Sequence, residues 1–176
     1  MKTQNKTQLI LNIMNVLFWI VFIGLCIQTG TAIYVFYSMI TNGTNEVTYI
    51  GSNIFQKLNI SLTSFVPIAL ISIIISLLKT YISYIVIKIS TKFDLAQPFT
   101  LYTSRLITKI SHIALMVGIF QISIHSYYLS LLPEEEVKNS IGNGKGEFLF
   151  LAGIIFIIAQ IFKRGLELQS ENELTI

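Results

Sequence analysis

The chain has 176 residues and a net charge of +3, and 53% of its residues are hydrophobic but only 12% are charged. An ordinary soluble domain has about 25% charged residues, and a chain of this size is too small to bury so much apolar surface in one core. With a mean hydropathy of +0.69, the composition argues against a soluble protein and predicts an all-α membrane protein.

Four segments are apolar over enough residues to form spanning helices, which need about 20 residues each. The predicted membrane spans are residues 17–37, 63–79, 112–132 and 147–163. Lys79 is expected to mark the far interface of the second span, and the fourth span is short and begins near Phe148. We expect one domain over residues 1–176 that ends in a polar tail, residues 164–176.

The distribution of basic residues predicts the orientation. If both termini lie inside, nine of the twelve lysines and arginines fall in inner segments and three in outer loops. Inner segments of membrane proteins carry the excess of basic residues. We therefore expect a multi-pass membrane protein with four transmembrane helices and with both termini and the tail in the cytoplasm.

The segment between the second and third spans reads as a turn closed by Pro98 and then a helix with Thr100 as its N-cap. Leu106 and Ile110 recur at helical spacing there, whereas Arg105 lies on another face. This basic, amphipathic stretch fits either a helix that lies against anionic headgroups or a plain continuation into the third span. We favour the continuation.

Polar residues inside the predicted spans form the first candidate site: Gln28, Ser72, Gln121 and His125. Polar groups in lipid seek partners, so we expect them to face the interior of the helix bundle. Two interpretations stand: hydrogen bonds that hold the helices together, which we favour, or a pocket for a small ligand or ion. Small residues also predict close packing between helices: Ser72 and Ser76, Ala114 and Gly118, and Ala152 with Gly153.

Catalytic patterns are missing from the sequence. The two histidines, His112 and His125, are thirteen residues apart, which places them about 140° apart around a helix. They cannot share a metal ion within one subunit, and the interiors of the predicted spans hold no Asp or Glu that could relay protons. We expect no enzyme activity, no cofactor and no metal site.

The polar tail is the most specific pattern, and it reads G-L-E-L-Q-S-E-N-E-L-T-I from Gly165 to Ile176. It resembles the C-terminal signature of a bacterial family of membrane proteins of unknown function, the one numbered twenty-nine seventy-five. The matching residues are Gly165, Glu167, Leu168, Gln169, Glu171, Asn172, Leu174 and Thr175. Glu173 and Ile176 depart conservatively from the family pattern, and the layout of four spans agrees with it. The resemblance implies that the protein is located in a bacterial cytoplasmic membrane.

The resemblance implies a partner but no catalytic residues. Members of this family are typically encoded beside a small helix-turn-helix regulator of the Cro/C1 type, so a role as membrane-linked sensor or anti-regulator of such a protein is expected. The expected partner-binding residues are Glu167, Leu168, Gln169, Glu171, Asn172, Glu173, Leu174 and Thr175. We also expected Leu166, Ser170 and Leu174 to form one stripe if the fourth helix continues.

Two other functions fit the sequence: a small immunity or self-protection membrane protein, and an accessory subunit of a transporter. Besides the regulator, the expected partner is the lipid bilayer. No direct contact with nucleic acid is expected, and a homo-oligomer is compatible with the sequence.

The predicted orientation is testable with topology reporters. Fusions after Ser90 and after Ile176 should report the cytoplasm, and a fusion after Gly51 should report the outside, because of the excess of basic residues in the inner segments. A reporter after Ile176 that is active only outside the cell would contradict the orientation.

Overall fold

The computed structural model describes residues 2–42, 47–50, 55–58, 62–92, 100–131 and 146–173. Its four α-helices are α1 (Lys2–Asn42), α2 (Leu62–Lys92), α3 (Leu101–Leu131) and α4 (Glu147–Glu173). All four are long and apolar enough to cross a membrane, which confirms the predicted fold class. Each helix is longer than its predicted span. The apolar residues mark only the part that is embedded in the membrane, whereas the backbone hydrogen bonds of a helix continue beyond that part.

A short hairpin follows α1 and was not predicted. Its strands, β1 (Val47–Ile50) and β2 (Phe55–Leu58), pair antiparallel, with Val47 opposite Leu58 and Ile50 opposite Phe55. The strands read V-T-Y-I and F-Q-K-L and are separated by G-S-N-I. β-branched and aromatic residues on either side of a glycine-containing turn are typical of hairpins, so the signal was present in the sequence.

Thr100 caps α3 as the sequence predicted. The backbone N–H of Thr103 donates to the Thr100 hydroxyl oxygen at 3.1 Å, and α3 begins at the next residue, Leu101. The cap supplies a partner for one of the amides that the first helical turn leaves unpaired. Because α3 is unbroken from Leu101 to Leu131, the basic stretch is a continuation into the third span, which was the favoured interpretation.

The helices pack in chain order, each against the next, and neighbours run antiparallel. Met39 of α1 is buried together with Ala69 of α2. A larger apolar cluster joins α2 and α3, with Ile68 and Ile75 on one side and Val117 on the other. Further along, Ile155 of α4 packs on buried isoleucines of α2 and α3. We call the whole the helix array, and its basic end is the one where α2 ends and α3 begins.

A close helix contact joins α3 and α4 at Gly118. A Cβ atom at this position would lie 2.8 Å from the Leu149 side chain and 3.0 Å from the Leu149 backbone nitrogen. Ala114 and Ala152 are both only 1% exposed, so small residues line this contact from both helices, as expected. Gly153 does not belong to it, because an added Cβ there would meet no atom within 4 Å.

The helices are offset along the array axis. The Lys79 ammonium lies 4.7 Å from the centre of the Phe148 ring. The sequence predicts these residues at opposite membrane interfaces, at the inner end of the second span and near the outer end of the fourth. Two side chains are too short to bridge a hydrocarbon layer of about 30 Å. Relative to α2, α4 is therefore displaced toward the basic end, and the spans 63–79 and 147–163 stay predictions.

Filling the contact at Gly118 should destabilise the fold. We expect Gly118→Ala to cost about 1–3 kcal/mol, because the new methyl group overlaps Leu149 and part of the overlap is with backbone. Thermal unfolding in detergent measures the effect. Gly153→Ala is the matched control, since it has open space around it and should be neutral. Equal stability of the two variants would contradict the close approach.

Candidate functional site

The polar residues predicted inside the membrane do not form one site. Ser72 and Gln121 are half-buried and His125 is buried, but Gln28 is exposed on α1. Gln121 and His125 lie one turn apart on α3, whereas α1 packs on α2 and makes no substantial interface with α3 in the part of the chain that the structure describes. The expectation that Gln28 faces the interior is therefore wrong, and a pocket shared by Gln28, Gln121 and His125 is not formed.

The neighbouring residue Thr29 makes the interhelical contact in place of Gln28. Thr29 is 7% exposed, and its hydroxyl oxygen lies 3.1 Å from that of Thr80 on α2. Consecutive residues of a helix point about 100° apart, so turning Thr29 inward turns Gln28 outward. This pair is not apparent from the sequence, because threonines are polar by one hydroxyl only and do not interrupt an apolar run.

The Thr29–Thr80 pair ends a series of hydroxyl hydrogen bonds along α2. The hydroxyl of Ser76 donates to the Ser72 carbonyl at 2.9 Å, and that of Thr80 donates to the Ser76 carbonyl at 2.9 Å. The hydroxyl of Thr29 donates to the Leu25 carbonyl at 2.8 Å. Each hydroxyl carries one proton, so Thr29 and Thr80 share two protons among three close contacts. The Ser72 carbonyl accepts one of these bonds within α2, so a role of the Ser72 side chain in holding the helices together stays a prediction.

A second hydrogen bond crosses between helices at the tight α3–α4 contact. The hydroxyl of Ser111 donates to the Ala152 carbonyl at 3.3 Å, and Ser111 is only 4% exposed. The exposed His112 next to it instead contacts the carbonyl of Thr108 on its own helix, 2.7 Å away. Among the described residues, no three His, Cys, Asp or Glu side chains come together as a metal site would require.

The tail continues α4 as a helix to Glu173, well beyond the predicted span end at residue 163. One face is half-buried and contains Leu166 and Gln169, and the other is exposed and contains Glu167, Leu168, Ser170 and Glu171. Leu166 and Ser170 are four residues apart on this helix and so lie on one stripe, as predicted, although Leu166 is half-buried and Ser170 is exposed. For Asn172 and Glu173 only the helical backbone is described, and Leu174, Thr175 and Ile176 lie outside the described residues.

Leu168 is the prominent apolar side chain of the exposed tail face, at 48% exposure. Glu167 is the residue before it, and it accepts a hydrogen bond from Arg164 at 2.9 Å in an exposed ion pair. Exposed ion pairs contribute little to stability, so a cationic partner can replace Arg164 at Glu167. We call Glu167, Leu168, Ser170 and Glu171 the tail face.

Comparison with known proteins identifies a family but no function. The sequence model of a family described as "Protein of unknown function (DUF2975)" matches residues 56–176. The match covers most of β2, all of α2, α3 and α4, and the whole tail. No curated protein and no solved structure matches the chain.

A double-mutant cycle tests the hydroxyl contact between α1 and α2. Replacing Thr29 and Thr80 by Val, singly and together, should give a coupling free energy of unfolding of about 0.6 kcal/mol. Valine keeps the branched shape and removes the hydroxyl. As a control, Gln28→Leu combined with Thr80→Val should show no coupling, because Gln28 is exposed. No coupling between Thr29 and Thr80 would contradict the contact.

Proposed function

Since the chain belongs to the DUF2975 family of proteins of unknown function, we propose from its tail that it is a membrane-linked anti-regulator. It holds a small cytoplasmic helix-turn-helix transcription factor at the membrane. The observation that carries the proposal is the tail face, an exposed helical surface with one apolar side chain between acidic ones, directly continuous with a candidate membrane helix. Sensing of a membrane signal through the helix array is the finer part of the same proposal.

The charge of the tail face fits such a partner. Glu167 and Glu171 are one turn apart on α4 and both are exposed. DNA-binding proteins carry positive surfaces that attract phosphate, and an acidic helix competes for the same surface. Leu168 adds an apolar anchor, of the kind that helix-in-groove recognition uses.

The helical order of the tail supports the same proposal. The tail is a continuation of α4, and its opposite face is half-buried at Leu166 and Gln169. A surface that is already ordered loses less conformational entropy on binding than a disordered terminus does. The tail face is therefore already helical before a partner binds, and binding does not require a rearrangement of the spanning part of α4.

The test is co-purification of the neighbouring regulator with the full-length membrane protein. We expect Glu167→Lys with Glu171→Lys to release the regulator into the soluble fraction and to change transcription of the shared operon. The wild-type complex should weaken as salt is raised, because exposed charges are screened within about 8–10 Å at physiological ionic strength. Glu147→Lys is the matched charge control, since Glu147 is an exposed acid at the opposite end of α4.

The apolar part is tested separately. Leu168→Ser should weaken the complex, whereas Leu101→Ser should not, although Leu101 is also an exposed leucine at the basic end. If no helix-turn-helix protein co-purifies with the intact chain, or if the Lys variants still retain it, the proposal is wrong. The immunity function, with a peptide toxin encoded nearby, would then be the better explanation.

A further inference from the structure

A cluster of basic and aromatic side chains joins α2 and α3 at the basic end of the array. The Lys109 ammonium donates to the Tyr81 hydroxyl at 2.6 Å and lies 5.0 Å from the centre of the Tyr81 ring. The ammonium groups of Lys88 and Lys92 lie 5.8 and 5.1 Å from the centre of the Tyr102 ring. With Arg105 these side chains form what we call the basic–aromatic cluster: Tyr81, Lys88, Lys92, Tyr102, Arg105 and Lys109.

The members of the cluster share one surface. On α3, Tyr102, Arg105 and Lys109 follow each other at three- and four-residue spacing and are all exposed. Such spacing places side chains in one row along a helix. Tyr81 and Tyr102 each contact a lysine of the other helix, so the rows of α2 and α3 lie side by side. Four cations thus lie on one patch, in which Lys88 is half-buried and the other three are exposed.

The positive charge of this patch is not neutralised by its own helices. No Asp or Glu occurs in Leu62–Lys92 or in Leu101–Leu131. The aromatic rings attract cations, and the Tyr81 hydroxyl oxygen accepts a hydrogen bond, but neither brings a formal negative charge. Four like charges on one patch repel one another, which favours the binding of an anionic ligand.

The apolar surface beside the cluster indicates what kind of anion. On α2, Leu70, Ile74 and Leu77 are exposed and lead at helical spacing to Tyr81. On α3, Met116 and Ile119 are exposed on the row that contains Arg105 and Lys109. Both helices are long and apolar enough to span a membrane. A ligand that covers this surface is anionic at one end and has a long apolar part, which is the form of a phospholipid.

We propose that the basic–aromatic cluster binds the headgroup of an anionic phospholipid in the leaflet at the basic end. Phosphate oxygens accept from the ammonium groups and from the Arg105 guanidinium, and the acyl chains lie along Leu77 and Ile74. Arginine is well suited to phosphate because its planar group donates two parallel hydrogen bonds. The proposal rests on α2 and α3 alone and is independent of the tail.

Lipid retention by the purified full-length protein tests the proposal. In a neutral detergent, native mass spectrometry should show phosphatidylglycerol retained in preference to phosphatidylcholine with the same acyl chains. Lys88→Gln with Lys92→Gln should weaken phosphatidylglycerol binding about 25-fold, because each cation near an anionic surface contributes about fivefold. Lys88→Arg with Lys92→Arg keeps the charge and should retain the lipid, which separates a lost site from a misfolded protein.

The control is Lys163→Gln with Arg164→Gln, which removes two exposed cations from α4 at the same end of the array. We expect this control to change binding less than about twofold, because Arg164 already has Glu167 as an ion-pair partner. Equal losses in both Gln variants, or equal retention of the two wild-type lipids, would overturn the proposal. Displacement of the lipid by inorganic phosphate at matched concentration would overturn the commitment to a phospholipid.

Discussion

The close approach of α3 and α4 at Gly118 fixes much of the rest of the structure. With no side chain on Gly118, the Leu149 backbone reaches the surface of α3, and the small residues Ala114 and Ala152 continue the contact. Small residues at helix interfaces allow the van der Waals packing that holds membrane helices together, because lipid supplies no hydrophobic drive between them. This contact also brings the Ser111 hydroxyl to the Ala152 carbonyl. The register of the two helices is therefore set by packing and supported by one hydrogen bond.

The register of α3 and α4 determines which surfaces lie at the basic end. Because Leu149, near the start of α4, is opposite Gly118 in the middle of α3, α4 is displaced toward the basic end and its last turns extend past the start of α3. The acidic tail face and the basic–aromatic cluster consequently lie at the same end of the molecule. They carry opposite charge and belong to different helices, so a lipid and a protein partner have separate surfaces to bind.

The sequence predicted the features that depend on local chemistry. The four spanning helices follow from the length of the apolar runs, and the start of α3 follows from Thr100, whose hydroxyl caps the helix within three residues. Gly118 was expected at a packing contact because small residues in spans usually lie there. The hairpin was missed although its residues are typical of strands, because the segment was read only as a loop between spans.

The features that were missed or predicted wrongly depend on the rotation of a helix about its axis or on its position along that axis. α1 is apolar on nearly all sides, so its sequence does not show which face packs on α2, and Gln28 was placed inside where Thr29 belongs. The offset of Phe148 against Lys79 depends on contacts between helices that are distant in sequence. Likewise, the basic–aromatic cluster combines residues from two helices, and neither helix alone has a recognisable motif.

The threonine pair Thr29–Thr80 has a consequence for how α1 can move. Leu25 and Ile33, one turn to either side of Thr29, have no hydroxyl, so a slide of α1 by one turn would leave Thr80 without a hydroxyl partner on α1. The two hydroxyls carry two protons for three contacts, so the bond between Thr29 and Thr80 replaces one of the bonds to the Leu25 and Ser76 carbonyls. After such a slide both hydroxyls would bond within their own helices, and the bond between Thr29 and Thr80 would be lost. Two threonines therefore favour one alignment of two otherwise apolar helices, much as one buried asparagine specifies the register of a coiled coil.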